Sequence, residues 1–280
     1  MKCLTLLLFH NDDDIVQSQI DYYYGNQQDI IIFNHASLDN THDIIMENIN
    51  KIKHYYILDE TISFKDNKVH ETVCKIIKGI RIDTKPILFD GIQMTRRHIY
   101  NHSKKYDWIS FPESDEFLEG PDRSKTWFQH LEDLHKTRYK GVQYLNFVFW
   151  FTSNDDINIV DPLERMKYYA FYENCGPRMY TWRAHLMPIT YFGHTPPLTA
   201  EPDDIVKWKT RHYDCRSEDH FIKKMSNRKN VSIENQNSHY DRREKAYIDG
   251  QNFTLDSSLL HYDDGSDLIQ DDKYDWSSFY

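Results

Sequence analysis

Tyr106-Asp107-Trp108-Ile109-Ser110-Phe111-Pro112-Glu113-Ser114-Asp115-Glu116-Phe117-Leu118-Glu119 decides the fold. Trp108–Phe111 is a short run of apolar and aromatic residues, which predicts a buried strand. Carboxylates follow at once. In an extended backbone Glu113 and Asp115 point to the same side, with Ser114 between them. Two hard oxygen ligands on one side suit Mg²⁺ or Mn²⁺, ions that also accept phosphate oxygens and water.

Upstream, apolar runs alternate with amphipathic stretches. Leu4–Phe9, Asp29–Asn34 and His54–Leu58 are predicted strands. Asp14–Tyr24 and Thr41–Lys53 carry helical periodicity, and Gln93–Ser103 is a further predicted helix. A β-α-β-α-β order predicts a mainly parallel sheet flanked by helices, an α/β Rossmann-like domain. In such sheets ligands sit beyond the carboxyl ends of the strands. The candidate residues are therefore those after each strand: Asn11–Asp14, Asn34–Thr41 and Glu113–Glu116.

The second half is less regular. Tyr144–Phe151 and Pro188–Phe192 predict strands, and Ser217–Met225 a helix. From about Asn227 the chain is polar, and Ser257–Tyr280 is expected to pack loosely. The expected organisation is a catalytic domain over residues 1–226 and a C-terminal extension over 227–280.

Composition narrows the function. The 280 residues carry a formal net charge of −10, which disfavours a nucleic-acid partner because such binders need a basic field. An acidic chain still binds a nucleotide diphosphate if a cation supplies local positive charge. Cys3, Cys74, Cys175 and Cys215 are widely spaced with no CxxC, so reduced thiols and a cytoplasmic location are expected. The apolar start is short, lacks a cleavage site and runs into Asn11-Asp12-Asp13-Asp14, so it predicts a first strand rather than a signal peptide. No stretch reaches the ~18–20 apolar residues of a membrane span. No P-loop, GxGxxG, GxSxG or HExxH occurs.

Four segments in order resemble family-2-like glycosyltransferases of the GT-A fold. Trp108–Leu118 resembles their DxD segment, which ends in D-x-D-E-F-L. Phe33-Asn34-His35-Ala36-Ser37-Leu38-Asp39-Asn40-Thr41 resembles their second-strand motif, D-N-x-S-x-D-G-T. Asn11–Asp14 occupies the place of their first-strand N-E turn. Arg211-His212-Tyr213-Asp214-Cys215-Arg216-Ser217-Glu218 is similar to a late H-Y-x-x-R-S-x-E segment of one branch. The resemblance spans roughly residues 3–225. It departs from the pattern at Glu113, where the family has Asp, and at Asn40, where it commonly has Gly.

The resemblance implies a transferase that moves a sugar from a nucleotide-diphosphate sugar, UDP-linked, to a glycan or other hydroxyl acceptor, with inversion. Asn11, Asp12 and Asp39 would lie near the nucleoside, with Arg97 framing the donor pocket. Asp115, Glu113 and His212 would hold Mn²⁺ or Mg²⁺, and Glu113 and Asp115 would face the donor. Arg178 and Arg183 are candidate phosphate partners. An inverting reaction needs a base to take the acceptor proton. The sequence leaves Glu116, His194, Glu201 and Asp203 as candidates. Two alternatives stay open: a catalytically degenerate carbohydrate-binding protein, and a nucleotide-sugar hydrolase or nucleotidyltransferase. Nucleotidyltransferases usually carry a Gly-rich loop after the first strand, and none is present here.

Overall fold

A computed structural model describes residues 1–58, 62, 68–79, 87–89, 101–172, 178–187, 201–229 and 254–271. The predicted strand Pro188–Phe192, most of the predicted helix Gln93–Ser103, and the candidates Arg97 and His194 lie outside these residues. So does Cys175. The chain divides into two compact units: Met1–Tyr144 with Gly176–Thr210, and Leu145–Cys175 with Arg211–Tyr280.

The first unit is α/β. Its strands are β1 (Cys3–Phe9), β2 (Asp29–His35), β3 (His54–Leu58), β4 (Ile87–Phe89), β5 (Trp108–Ser110) and β6 (Glu116–Glu119). It also holds the start of β7 (Gly141–Trp150), all of β9 (Arg178–Arg183) and most of β10 (Ile205–Cys215). β1 lies between β5 and β2, and β3 follows β2, all parallel. β4 and β9 close the two sides antiparallel. This is the Rossmann-like arrangement that the strand order predicts, and it is consistent with the GT-A fold that the resemblance implies. All seven residues of β1 are buried. That explains its unbroken Cys-Leu-Thr-Leu-Leu-Leu-Phe run, because a strand covered on both faces has no polar side to alternate with.

The helices are α1 (Val16–Gly25), α2 (Thr41–Glu47), α3 (Lys68–Ile77) and α4 (Trp127–His135). Val16, Gln19, Ile20 and Tyr23 of α1 are buried, a stripe at helical spacing. α4 starts at a capping box: Thr126 accepts from Gln129 N–H, and Gln129 accepts from Thr126 N–H. α2 is shorter than Thr41–Lys53 predicts, because a separate 3₁₀ turn, Ile49–Lys51, follows it. Among the described residues no helix is long and apolar enough to cross a membrane.

The second unit contains the end of β7, β8 (Tyr168–Tyr172) and β11 (His261–Tyr262), with β8 antiparallel to both. It also holds the short α5 (Pro162–Arg165) and α6 (Glu218–Lys229). Residues 257–271, expected to pack loosely, are mostly exposed but anchored at a few points. Leu255 and Leu268 are buried. Ile269 N–H donates to Tyr169 Oη at 2.8 Å, His261 meets Asp271 at 2.8 Å, and Arg211 meets Asp263 at 3.6 Å. The polar sequence does not show these anchors, because each is a single contact made to a residue far away in the chain or to a neighbouring acid.

Cys3, Cys74 and Cys215 are buried free thiols. Burial pushes the Cys3 and Cys74 thiols up to about 12, so both stay neutral and unreactive near neutral pH.

Gly120, just after β6, is required by close approach. A Cβ there would strike the His130 ring. That ring is fixed by a 3.0 Å contact to Asp122 O and by Trp208. Gly120→Ala is expected to cost about 1–3 kcal/mol through overpacking. Urea denaturation followed by tryptophan fluorescence measures it, and an unchanged midpoint would show that His130 swings away freely.

Candidate active site

The carboxyl ends of β1 and β2 are braced against each other. Asn11 (φ 58°) and Ala36 (φ 48°) both adopt left-handed backbone directly after their strands. Asn tolerates that region well; Ala pays roughly 1 kcal/mol. Asn11 N–H donates to Ser37 Oγ, and Asn11 Oδ1 accepts from Leu38 N–H at 2.7 Å. Asp12 N–H donates to Thr41 Oγ1. Asp39 accepts from Thr41 N–H on one oxygen and from Asp13 N–H on the other. Asn11, Asp12 and Asp39 thus fix two turns into one wall. Asn40 stands where the resembled family commonly has Gly, and its φ is an ordinary −75°.

Glu113 and Asp115 do not lie on an extended backbone. Ser114 and Asp115 form a turn, closed by Glu116 N–H donating to Glu113 O at 3.1 Å. The alternation expected of Glu113 and Asp115 is therefore broken: Asp115 is buried and Glu113 half-buried. Gln19 of α1 fixes the turn. Its amide donates to Ser114 O at 3.0 Å and to Glu116 O at 2.9 Å, bracketing Asp115. Tyr23 Oη donates to Glu116 O at 3.2 Å, and Tyr22 Oη to Leu118 O at 2.7 Å. Sequence reasoning missed these residues. The available signal was a glutamine on the apolar stripe of α1.

Glu116 is fully buried, and Arg178 donates to its carboxylate and to Tyr180 Oη at 2.8 Å. A buried, ion-paired carboxylate is a poor proton acceptor, so this geometry is that of a structural pair rather than of the base considered from sequence. The phosphate roles considered for Arg178 and Arg183 fall with it. Arg183 donates to the carbonyls of His135, Thr137 and Tyr139 and stacks over Trp108 at 4.4 Å. Glu201 and Asp203 are exposed, Glu201 preceding the 3₁₀ turn Pro202–Asp204 and Asp203 within it.

In the second unit, His212 and Asp214 alternate on β10, so they share a face, with Nε2 and Oδ1 3.9 Å apart. Both are buried. Lys224 of α6 donates to Asp214 Oδ1 at 2.6 Å and to Asp214 O at 3.0 Å, which orients that carboxylate. Asp214 was quoted within the late motif but given no role from sequence.

No family model matches the chain, and no curated protein does. Among solved structures it is similar to the mannosyltransferase PcManGT from Pyrobaculum calidifontis in complex with GDP-Man and Mn²⁺. The identity is 10% and the TM-score 0.36, over 88% of this chain and 61% of that one. It is also similar to S. aureus TarS 1-349 in complex with UDP, at 12% identity and TM-score 0.36, over 86% of this chain and 69% of that one. The chain thus spans about three fifths of the mannosyltransferase.

Proposed function

We propose that this chain is a metal-dependent glycosyltransferase that takes a sugar from a UDP-linked donor and passes it to a hydroxyl acceptor with inversion. The observation that carries this reading is His212 and Asp214, two buried metal-ligating side chains on one face of β10, with Nε2 and Oδ1 3.9 Å apart. Asp115 and His212 stand at the resembled family's metal positions, and Asp214 adds a carboxylate beside His212. Glu113, half-buried, is a further ligand or a contact to the ribose.

The donor chemistry fits a divalent ion. Two carboxylates satisfy Mg²⁺ or Mn²⁺, and the imidazole favours Mn²⁺, since Mg²⁺ prefers oxygen alone. When bound, the ion neutralises charge that builds on the β-phosphate as the bond to the anomeric carbon breaks. The protein does the rest. Gln19 and Tyr23 hold the Ser114–Glu116 turn so that Asp115 keeps its position. Lys224 holds the Asp214 carboxylate. The wall built from Asn11, Asp12 and Asp39 receives the nucleoside. The acceptor oxygen bonds to the anomeric carbon as the diphosphate leaves, and its proton passes to a base, for which Glu201 and His194 are the candidates.

A donor panel with Mn²⁺, scored for released nucleotide with water as acceptor, tests this. UDP release from a UDP-sugar that stops with EDTA is the expected result. Release that is unchanged by EDTA would remove the metal from the account.

A further inference from the structure

A cavity of about 620 Å³ lies in the first unit at the amino end of β5, opposite the turn that carries Asp115. Its size is that of a small-molecule site. Lys78 at the end of α3, Asn101 and Lys104 before β5, and His135 at the end of α4 line it. Arg183, which ends β9, and Asp107 line it too.

The hydrogen-bond inventory of these walls is one-sided. Neither Lys78 nor Lys104 has a carboxylate partner among the described residues. Asn101 Oδ1 already accepts from Ser103 Oγ at 2.6 Å and from Lys104 N–H at 3.3 Å, which leaves its amide NH₂ to donate. His135 Nδ1 receives Trp108 Nε1–H at 3.2 Å and the Arg183 guanidinium at 2.6 Å. Both partners can only donate, so Nδ1 carries no proton and Nε2 must. The imidazole is therefore neutral and offers an N–H. Asp107, the one carboxylate among the described residues that line the cavity, accepts from Lys2 N–H at 2.7 Å. Two lysines and two neutral donors thus face one occupied carboxylate, while the Arg183 guanidinium is spent on the carbonyls of His135, Thr137 and Tyr139.

From this we infer that the cavity binds the phosphate group of a small phosphorylated molecule. A compact dianion uses several donors at once and matches ammonium groups as point charges. Extended polyanions are repelled, because the chain as a whole carries −10. The site is separate from the donor site and needs no divalent ion.

Calorimetric titration of the full chain with glucose 6-phosphate in EDTA tests the inference, with glucose alone as control. Saturable binding of the phosphate ester and none of glucose is expected. Binding should be unchanged in Asp115→Asn. It should weaken about tenfold or more in the double variant Lys78→Gln/Lys104→Gln, the loss of about 1.4 kcal/mol or more of binding free energy. Thermal midpoints should match wild type in both variants. Absence of binding to the wild type, equal binding to the double variant, or loss of binding in Asp115→Asn would each overturn the assignment.

Discussion

Arg178→Met is expected to destabilise the fold by about 3–5 kcal/mol, because it strands the Glu116 carboxylate in a fully buried position. The cost comes from the uncompensated charge more than from the lost attraction. Pairing Arg178→Met with Glu116→Leu should therefore recover much of the stability, since both charges leave together. Urea denaturation of the wild type, the single and the double variant measures this. A single variant as stable as wild type but inactive would reverse the assignment and return Arg178 to the phosphate role that its sequence context suggests.

Asp115→Asn is expected to cut turnover by two to three orders of magnitude, on the order of 3–4 kcal/mol of lost transition-state stabilisation. The fold should survive, because Asn has the shape of Asp and Gln19 holds the turn around residue 115 through the carbonyls of Ser114 and Glu116. Steady-state kinetics of UDP release, with the thermal midpoint measured alongside, checks both halves. A variant that unfolds would mean Asp115 is structural, and one that turns over like wild type would exclude it as a ligand.

The parallel core was legible because β1, β2 and β3 are buried on both faces and read as apolar runs. β8, β9 and β10 were not read as strands. Arg178–Arg183 alternates charged, aromatic and small residues that fit a strand only once β5 and β7 are beside it. At the site, residue types were legible and their surroundings were not. The acidic run Glu113–Glu116 reads as equivalent carboxylates. The chain separates them by environment: Glu113 half-buried, Asp115 buried in a clamped turn, and Glu116 paired with Arg178, 62 residues away. Asp214 stayed silent for the same reason, since neither Lys224 nor its place on a buried face shows in the motif.

The central claim is that Asp115 would hold a divalent ion needed for a nucleoside diphosphate to bind, and a thermal-shift panel of UDP, GDP, CMP and dTDP with and without Mn²⁺ tests it most directly. Ligand at a hundredfold excess over Kd stabilises the native state by about 2.7 kcal/mol, enough for a clear rise in midpoint. The account predicts a rise with UDP that requires Mn²⁺ and disappears in Asp115→Asn. No rise with any nucleotide, or a rise indifferent to Mn²⁺ and to Asp115→Asn, would contradict it and favour a carbohydrate-binding protein on a transferase fold.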